Sequence, residues 1–147
     1  MFGHNQDIFP FLVGYSGNES VTDAHPSTIH IFQLWQIYID NVNTLLKITH
    51  VPTIQGQVIE ASSNLKAAPK NIEALMFAIY VMAVTSLDDE QVRLRFHTSK
   101  KELLGRYLAA LQQALINAGF MRARDHITLQ AYLLYLVCHY RQLSHHT

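Results

Sequence analysis

The chain has 147 residues, nearly half of them apolar and 15% charged, with eleven basic side chains balancing eleven acidic ones. A chain of this length suits one domain that buries roughly two thirds of its unfolded surface, and this composition excludes disorder. A formal charge of zero argues against DNA binding by the chain itself, because phosphate contacts call for a surplus of Lys and Arg.

The lone cysteine, Cys138, excludes an internal disulfide and a thiolate zinc cluster, and it fits a reducing compartment. No uncharged run reaches the ~18 residues that a membrane crossing needs, and Met1–Gln6 lacks the basic start of a secretory signal. A soluble intracellular protein without membrane contact is expected.

Residues 1–24 hold the apolar patch Phe9–Tyr15 and then the turn-forming Ser16–Ser20, and are expected to be mostly irregular. Residues 25–147 read as the helical domain. Its first helix has Ile31, Trp35, Tyr38, Val42 and Leu45 at alternating spacings of four and three. Gln33, Gln36, Asp40, Asn43 and Lys47 keep the same rhythm on the opposite face. Pro26-Ser27 supplies a cap at its start, and Val51-Pro52-Thr53 is expected to bar further helix and cap the next one.

That second helix, about 53–65, carries Ile54, Val58, Ile59 and Leu65. Its Gly56 costs roughly 1 kcal/mol relative to alanine, which implies that packing holds it. From Asn71 the spacing of Ile72, Leu75, Met76, Ile79, Tyr80, Ala83 and Leu87 predicts a helix apolar almost all round, hence central to a core. Asp88 with Gln91, and Ser99 with Glu102, fit capping boxes that open two more helices.

The first of these is short, with Val92, Leu94 and Phe96. The second runs about 100–118 on Leu103, Leu104, Tyr107, Leu108, Leu111 and Leu115, and Gly119 stops it. Asp125 caps a last helix whose apolar face is expected at Leu129, Tyr132, Leu133, Leu136, Val137 and Tyr140. About six helices and no alternating strand pattern make an all-α fold, expected as antiparallel helical hairpins.

The order of these segments carries a resemblance. Leu34-Trp35-Gln36-Ile37-Tyr38-Ile39-Asp40-Asn41-Val42-Asn43 followed by His50-Val51-Pro52-Thr53 resembles the opening of the regulatory domain, or middle homology region, of fungus-specific zinc-cluster transcription factors. Glu73–Tyr80 with Ala83–Leu87 resembles its next signature helix; Arg106-Tyr107, Gln113-Ala114-Leu115 and Leu129–Tyr132 resemble later ones. The likeness covers about residues 9–143 and rests on the ordered set, since each motif alone is weak.

The resemblance implies a nuclear regulator of transcription by RNA polymerase II, acting through other segments of a full-length factor, regulatory proteins or a small effector. In that family six N-terminal cysteines hold two zinc ions. Nothing here matches them, so zinc is expected only in a cluster missing from this chain, and no cofactor within it. The family's domain is longer than this stretch, which implies the front portion of a larger helical regulatory domain. A fragment, a truncated gene model and a natural short form all fit.

Candidate chemistry is sparse. The nine histidines invite a metal site at His139, His145 and His146 near Cys138, but neighbouring helix positions point about 100° apart, and neither HExxH nor paired cysteines occur. Asp40, Asp88, Glu90 and Glu102 read as solvent-facing or capping groups, no phosphate loop is present, and no enzyme is expected. Arg93, Arg95, Lys100, Lys101, Arg106, Arg122 and Arg124 read as a solvated face offset by nearby acids.

Trp35, Tyr38, Phe77, Tyr80 and Tyr107, with Met76, Met82 and Tyr132, are candidates to line an apolar effector pocket, although their spacing equally fits an ordinary core. A stand-alone helical protein that binds an apolar small molecule is therefore the alternative function.

Overall fold

A computed structural model describes residues 19–47, 51–119 and 125–145. Among these, six helices appear and no strand. Helix α1 spans Thr28–Tyr38, passes through a π-helical turn at Ile39–Asn43 and regains α geometry over Thr44–Leu46. It is followed by α2 (Val51–Ser63), α3 (Lys70–Thr85), α4 (Asp89–Phe96), α5 (Lys100–Asn117) and α6 (His126–His145). Short 3-10 turns at Thr22–Ala24 and Leu65–Ala67 precede α1 and α3.

The core forms around α3. Every residue from Ile72 to Val84 is buried, as expected of a helix apolar on all sides. Its main neighbours are α5 and α6, then α1, so the large contacts are not those between chain neighbours. Leu103, Tyr107, Leu111 and Leu115 bring the buried stripe of α5 against it.

Most caps stand where the side chains prescribe them. Ser27 Oγ accepts from His30 N at 3.3 Å. Asp88 and Gln91 form the full capping box, at 2.8 and 2.9 Å. Asp125 accepts from the Thr128 amide at 2.8 Å and from the Thr128 hydroxyl at 3.0 Å. Burial pushes the Asp125 carboxyl up, but these bonds and one from Asn71 outweigh it and hold it below its ordinary value. Gly119, at φ 68°, takes the left-handed position after α5 that a side chain would strain.

Several expectations are corrected. The box at Ser99 is half formed: Ser99 Oγ accepts from Glu102 N, but Glu102 turns instead to the Thr98 hydroxyl at 3.0 Å. Helix α2 begins at Val51, so Pro52 lies in its first turn, where a missing amide hydrogen costs nothing. Gly56 is exposed, and a Cβ built there meets nothing within 4 Å, so no packing requires the glycine. Ile59 and Leu94 are also exposed.

Leu45, expected in the buried seam of α1, is 80% exposed. The π turn is the cause: it inserts an extra residue into the ladder and rotates whatever follows away from the face set by Trp35 and Tyr38. Thr44 Oγ1 donates to the Asp40 carbonyl of the disturbed turn at 3.2 Å, and Asn41 Nδ2 ties the turn to α3 by donating to Ser86 Oγ at 3.0 Å.

The face of α6 is the largest correction. Ile127, Thr128, Ala131, Leu134, Tyr135 and Cys138 are buried, whereas Leu129, Leu133 and Tyr140 are 42%, 49% and 75% exposed. A helix apolar on both sides gives periodicity no unique answer. The face that packs is the one where Ala131, Thr128 and Cys138 are small enough for close approach. The expected coil at Phe9–Tyr15, together with Arg122, Arg124, His146 and the side chain of His145, lies outside the described residues.

Candidate functional site

The most concentrated polar chemistry among the described residues is buried. Residues 19–27 cross the core as a strap, with Val21 buried and Asn117 Nδ2 donating to the Glu19 carbonyl at 2.7 Å. At the end of the strap the His25 side chain is completely enclosed. Its Nε2 lies 3.0 Å from Glu73 Oε2 and its Nδ1 lies 2.9 Å from the Tyr80 hydroxyl. Glu73 and Tyr80 are seven residues apart on α3, two helical turns, and so face the strap one above the other.

The apolar walls complete the cluster. The imidazole stacks on Phe77 at 4.2 Å between centroids and meets the Tyr80 ring edge-on at 5.7 Å. Tyr80 contacts Tyr107 of α5 at 5.2 Å, and the Arg106 guanidinium lies 5.9 Å over the Tyr107 ring. Because a carboxylate only accepts, Nε2 donates to Glu73; the Tyr80 hydroxyl can then donate to a neutral Nδ1. Every polar atom of the imidazole is thereby satisfied, which a fully buried ring requires.

Burial, then Tyr107 and Glu73 nearby, hold the Tyr80 hydroxyl well above its ordinary pKa. Burial pushes Tyr107 up to about 12, against the opposing pull of Arg106. Both phenols therefore stay protonated, and the fully enclosed imidazole is held between Glu73 and Tyr80. It fastens strap to helix.

The five aromatics picked out from sequence are distributed through the same interior. Trp35 is 8% exposed, and Tyr38, Phe77, Tyr80 and Tyr107 are all within 2% of complete burial. The structure brings Phe77, Tyr80 and Tyr107 together and sets Trp35 beside Tyr38 at 6.3 Å. A cleft of about 370 Å³ lies elsewhere, lined by Gln57, Glu60, Ser63, Asn64 and Pro69 among others, where α2 turns into α3. A wider hollow of about 440 Å³ separates the strap from Arg106, Ala109 and Gln113 on α5.

Sequence reasoning missed the roles of His25 and Glu73. The available signal was Glu73 itself, the one charged side chain in the run Ile72–Val84, since a carboxylate embedded in apolar sequence calls for a partner. It also missed Lys100, whose ammonium donates to the Leu87 carbonyl at 2.7 Å and the Thr85 carbonyl at 3.3 Å, satisfying the C-terminal end of α3. Arg93, Arg95, Lys101 and Arg106 are exposed. Among the described residues no group of His, Cys, Asp and Glu could hold a metal ion, and no helix is long and apolar enough to cross a membrane.

The buried polar groups hold the elements of this all-helical body together. The chain is similar to named fungal transcription regulators. The chain is 48% identical over 121 residues to "Transcriptional regulator AacuB" of Aspergillus aculeatus and 46% identical over 118 residues to "Aurofusarin cluster transcription factor aurR2" of Gibberella zeae. It is 33% identical over 132 residues to "C6 finger domain transcription factor nscR" of Trichophyton verrucosum.

The matches take in 82%, 80% and 86% of this chain but only 16%, 18% and 20% of those relatives, so the chain spans a fifth of their length or less. No family model and no solved structure matches it. The chain belongs to the family of fungal C6 finger transcription factors.

Proposed function

We propose that this chain is a regulatory helical domain, the front portion of the middle homology region, and that it acts in the nucleus through protein contacts without reading DNA. One observation carries the proposal: four fifths of the chain aligns with named transcription regulators, while its sequence holds a single cysteine. A C6 finger needs six thiolates to hold two zinc ions, and Cys138 alone cannot supply them. The zero net charge supports the same division of labour, since sequence-specific binding begins from phosphate attraction. Nothing in the buried His25 cluster presents a nucleophile to a substrate, in keeping with a non-enzymatic role.

The test has two arms. Fluorescence anisotropy of the purified chain with duplex DNA at physiological salt gives weak, sequence-independent binding or none; sequence-specific binding overturns the division of labour. In the Aspergillus aculeatus regulator, deletion of the matched segment changes transcriptional output while occupancy of target promoters persists. Lost occupancy with the protein at normal abundance overturns the regulatory assignment.

A further inference from the structure

We propose that the cleft where α2 turns into α3 binds a primary alkylammonium group, the end of a lysine side chain or of a small free amine. Its volume of about 370 Å³ falls in the ~300–1,000 Å³ range of small-ligand sites. Its lining is of two kinds. Gln57, Glu60 and Ser63 recur every three residues on α2, with Asn64 just past its end, so they form one polar strip. The rest of the lining, Ala61, Ala67, Ala68, Pro69 and Ile72, is apolar, and Ala61 and Ile72 are buried.

The strip calls for a positively charged donor. Gln57 Oε1 is buried and accepts no hydrogen bond, which costs free energy until a donor reaches it. Three residues on, Glu60 is the one charged side chain among the described residues lining the cleft, and a carboxylate only accepts. The Ser63 hydroxyl already donates to the Glu60 carbonyl at 2.6 Å. Helix α2 ends at this point, and the C-terminal end of a helix favours cations.

An ammonium carries three donors and a positive charge, so one head group serves Gln57 and Glu60 together while its alkyl stem lies on the apolar lining. A neutral hydroxyl or amide answers Gln57 and leaves the carboxylate uncompensated; an anion is repelled. Glu60 is exposed, so its attraction is screened and binding falls in the millimolar range.

Amide correlation spectra of the nitrogen-labelled chain, titrated with n-butylammonium chloride at low salt, test the site. Saturating shifts are expected at Gln57, including its side-chain amide, and at Glu60, Asn64 and Ala67. Glu60→Gln weakens binding about tenfold and Gln57→Met about threefold, both with an unchanged helix signal. Gln55→Met, exposed on the other side of α2, leaves binding intact.

Shifts that never saturate, that are as large around Asp89 and Glu90 of α4, or that survive Glu60→Gln overturn the proposal. Equal binding of tetramethylammonium, which has the charge but no N–H, overturns it as well, and so does equal binding of butanol, which has a donor but no charge. A tripeptide Ala-Lys-Ala blocked at both ends separates the two sources of the group. Tighter binding than butylammonium at the same residues supports a lysine of another polypeptide segment; weaker binding supports a free amine.

Discussion

Replacing His25 with alanine tests whether the buried cluster is a fastening worth its polar groups. The substitution removes a fully enclosed ring stacked at 4.2 Å on Phe77 and takes partners from the Glu73 carboxylate and the Tyr80 hydroxyl together. With the Glu73 side chain only 12% exposed, its charge regains little hydration. Losing a hydrogen bond to a charged group costs about 1.5–3 kcal/mol, and the void left by the ring brings the total to about 4–5 kcal/mol.

Against a total stability of roughly 5–15 kcal/mol, this is a large fraction. For a domain of this size it lowers the midpoint of thermal unfolding by about 10–15 °C. Urea unfolding followed by Trp35 fluorescence and by circular dichroism measures the loss directly, since Trp35 is the only tryptophan.

The sharper measurement is the combination. With His25→Phe, Glu73→Leu and Tyr80→Phe together, the stack is kept and all three polar demands disappear, so the triple variant should recover at least half of what the single changes lose when summed. A His25→Ala loss under about 1 kcal/mol refutes the reasoning, as does strict additivity of the three changes.

Three further outcomes follow from the same packing. Gly56→Ala and Gly105→Ala each raise stability by about 0.5–1 kcal/mol in urea unfolding, because both glycines lie within helices and a Cβ at either meets nothing within 4 Å. Lys100→Met lowers stability by about 1–2 kcal/mol, since it leaves the Thr85 and Leu87 carbonyls without their charged donor; Lys100→Arg restores part of that loss. Alkaline stability falls once the pH passes about 10. There the unfolded chain releases phenolic protons that folded Tyr80 and Tyr107 retain, with Tyr107 held to about 12, so ultraviolet titration shows these two ionising only as the helix signal is lost.

What was legible in the sequence was what is settled locally. Ser27, Asp88 and Asp125 cap helices through amides within three residues of themselves, so residue type and spacing determine each hydrogen bond. The central place of α3 was legible for the opposite reason: a segment apolar on every side has only one place to go. His25 was illegible because its partners lie 48 and 55 residues away, and local spacing carries no record of that distance. Lys100 likewise reaches back 13 and 15 residues to end a helix other than its own.

The two misplaced faces share a cause with that long-range ambiguity, and it bears on how the domain is used. Periodicity assigns a face only when the helix keeps its pitch and has one polar side. Helix α1 breaks the first condition at Ile39–Asn43, where Leu45 turns outward; α6 breaks the second, since its outer Leu129-Leu133-Leu136-Tyr140 seam is as well written as its buried one. Evolution of a self-contained surface would favour polar residues at such positions, because an exposed leucine adds little to folding yet promotes association. Leu45 and Val137 of α6 line one small cleft beside the end of α3. Burial of Leu45 and of the outer α6 side chains adds nothing to this helical body's own packing, which is why folding arguments alone could not place them.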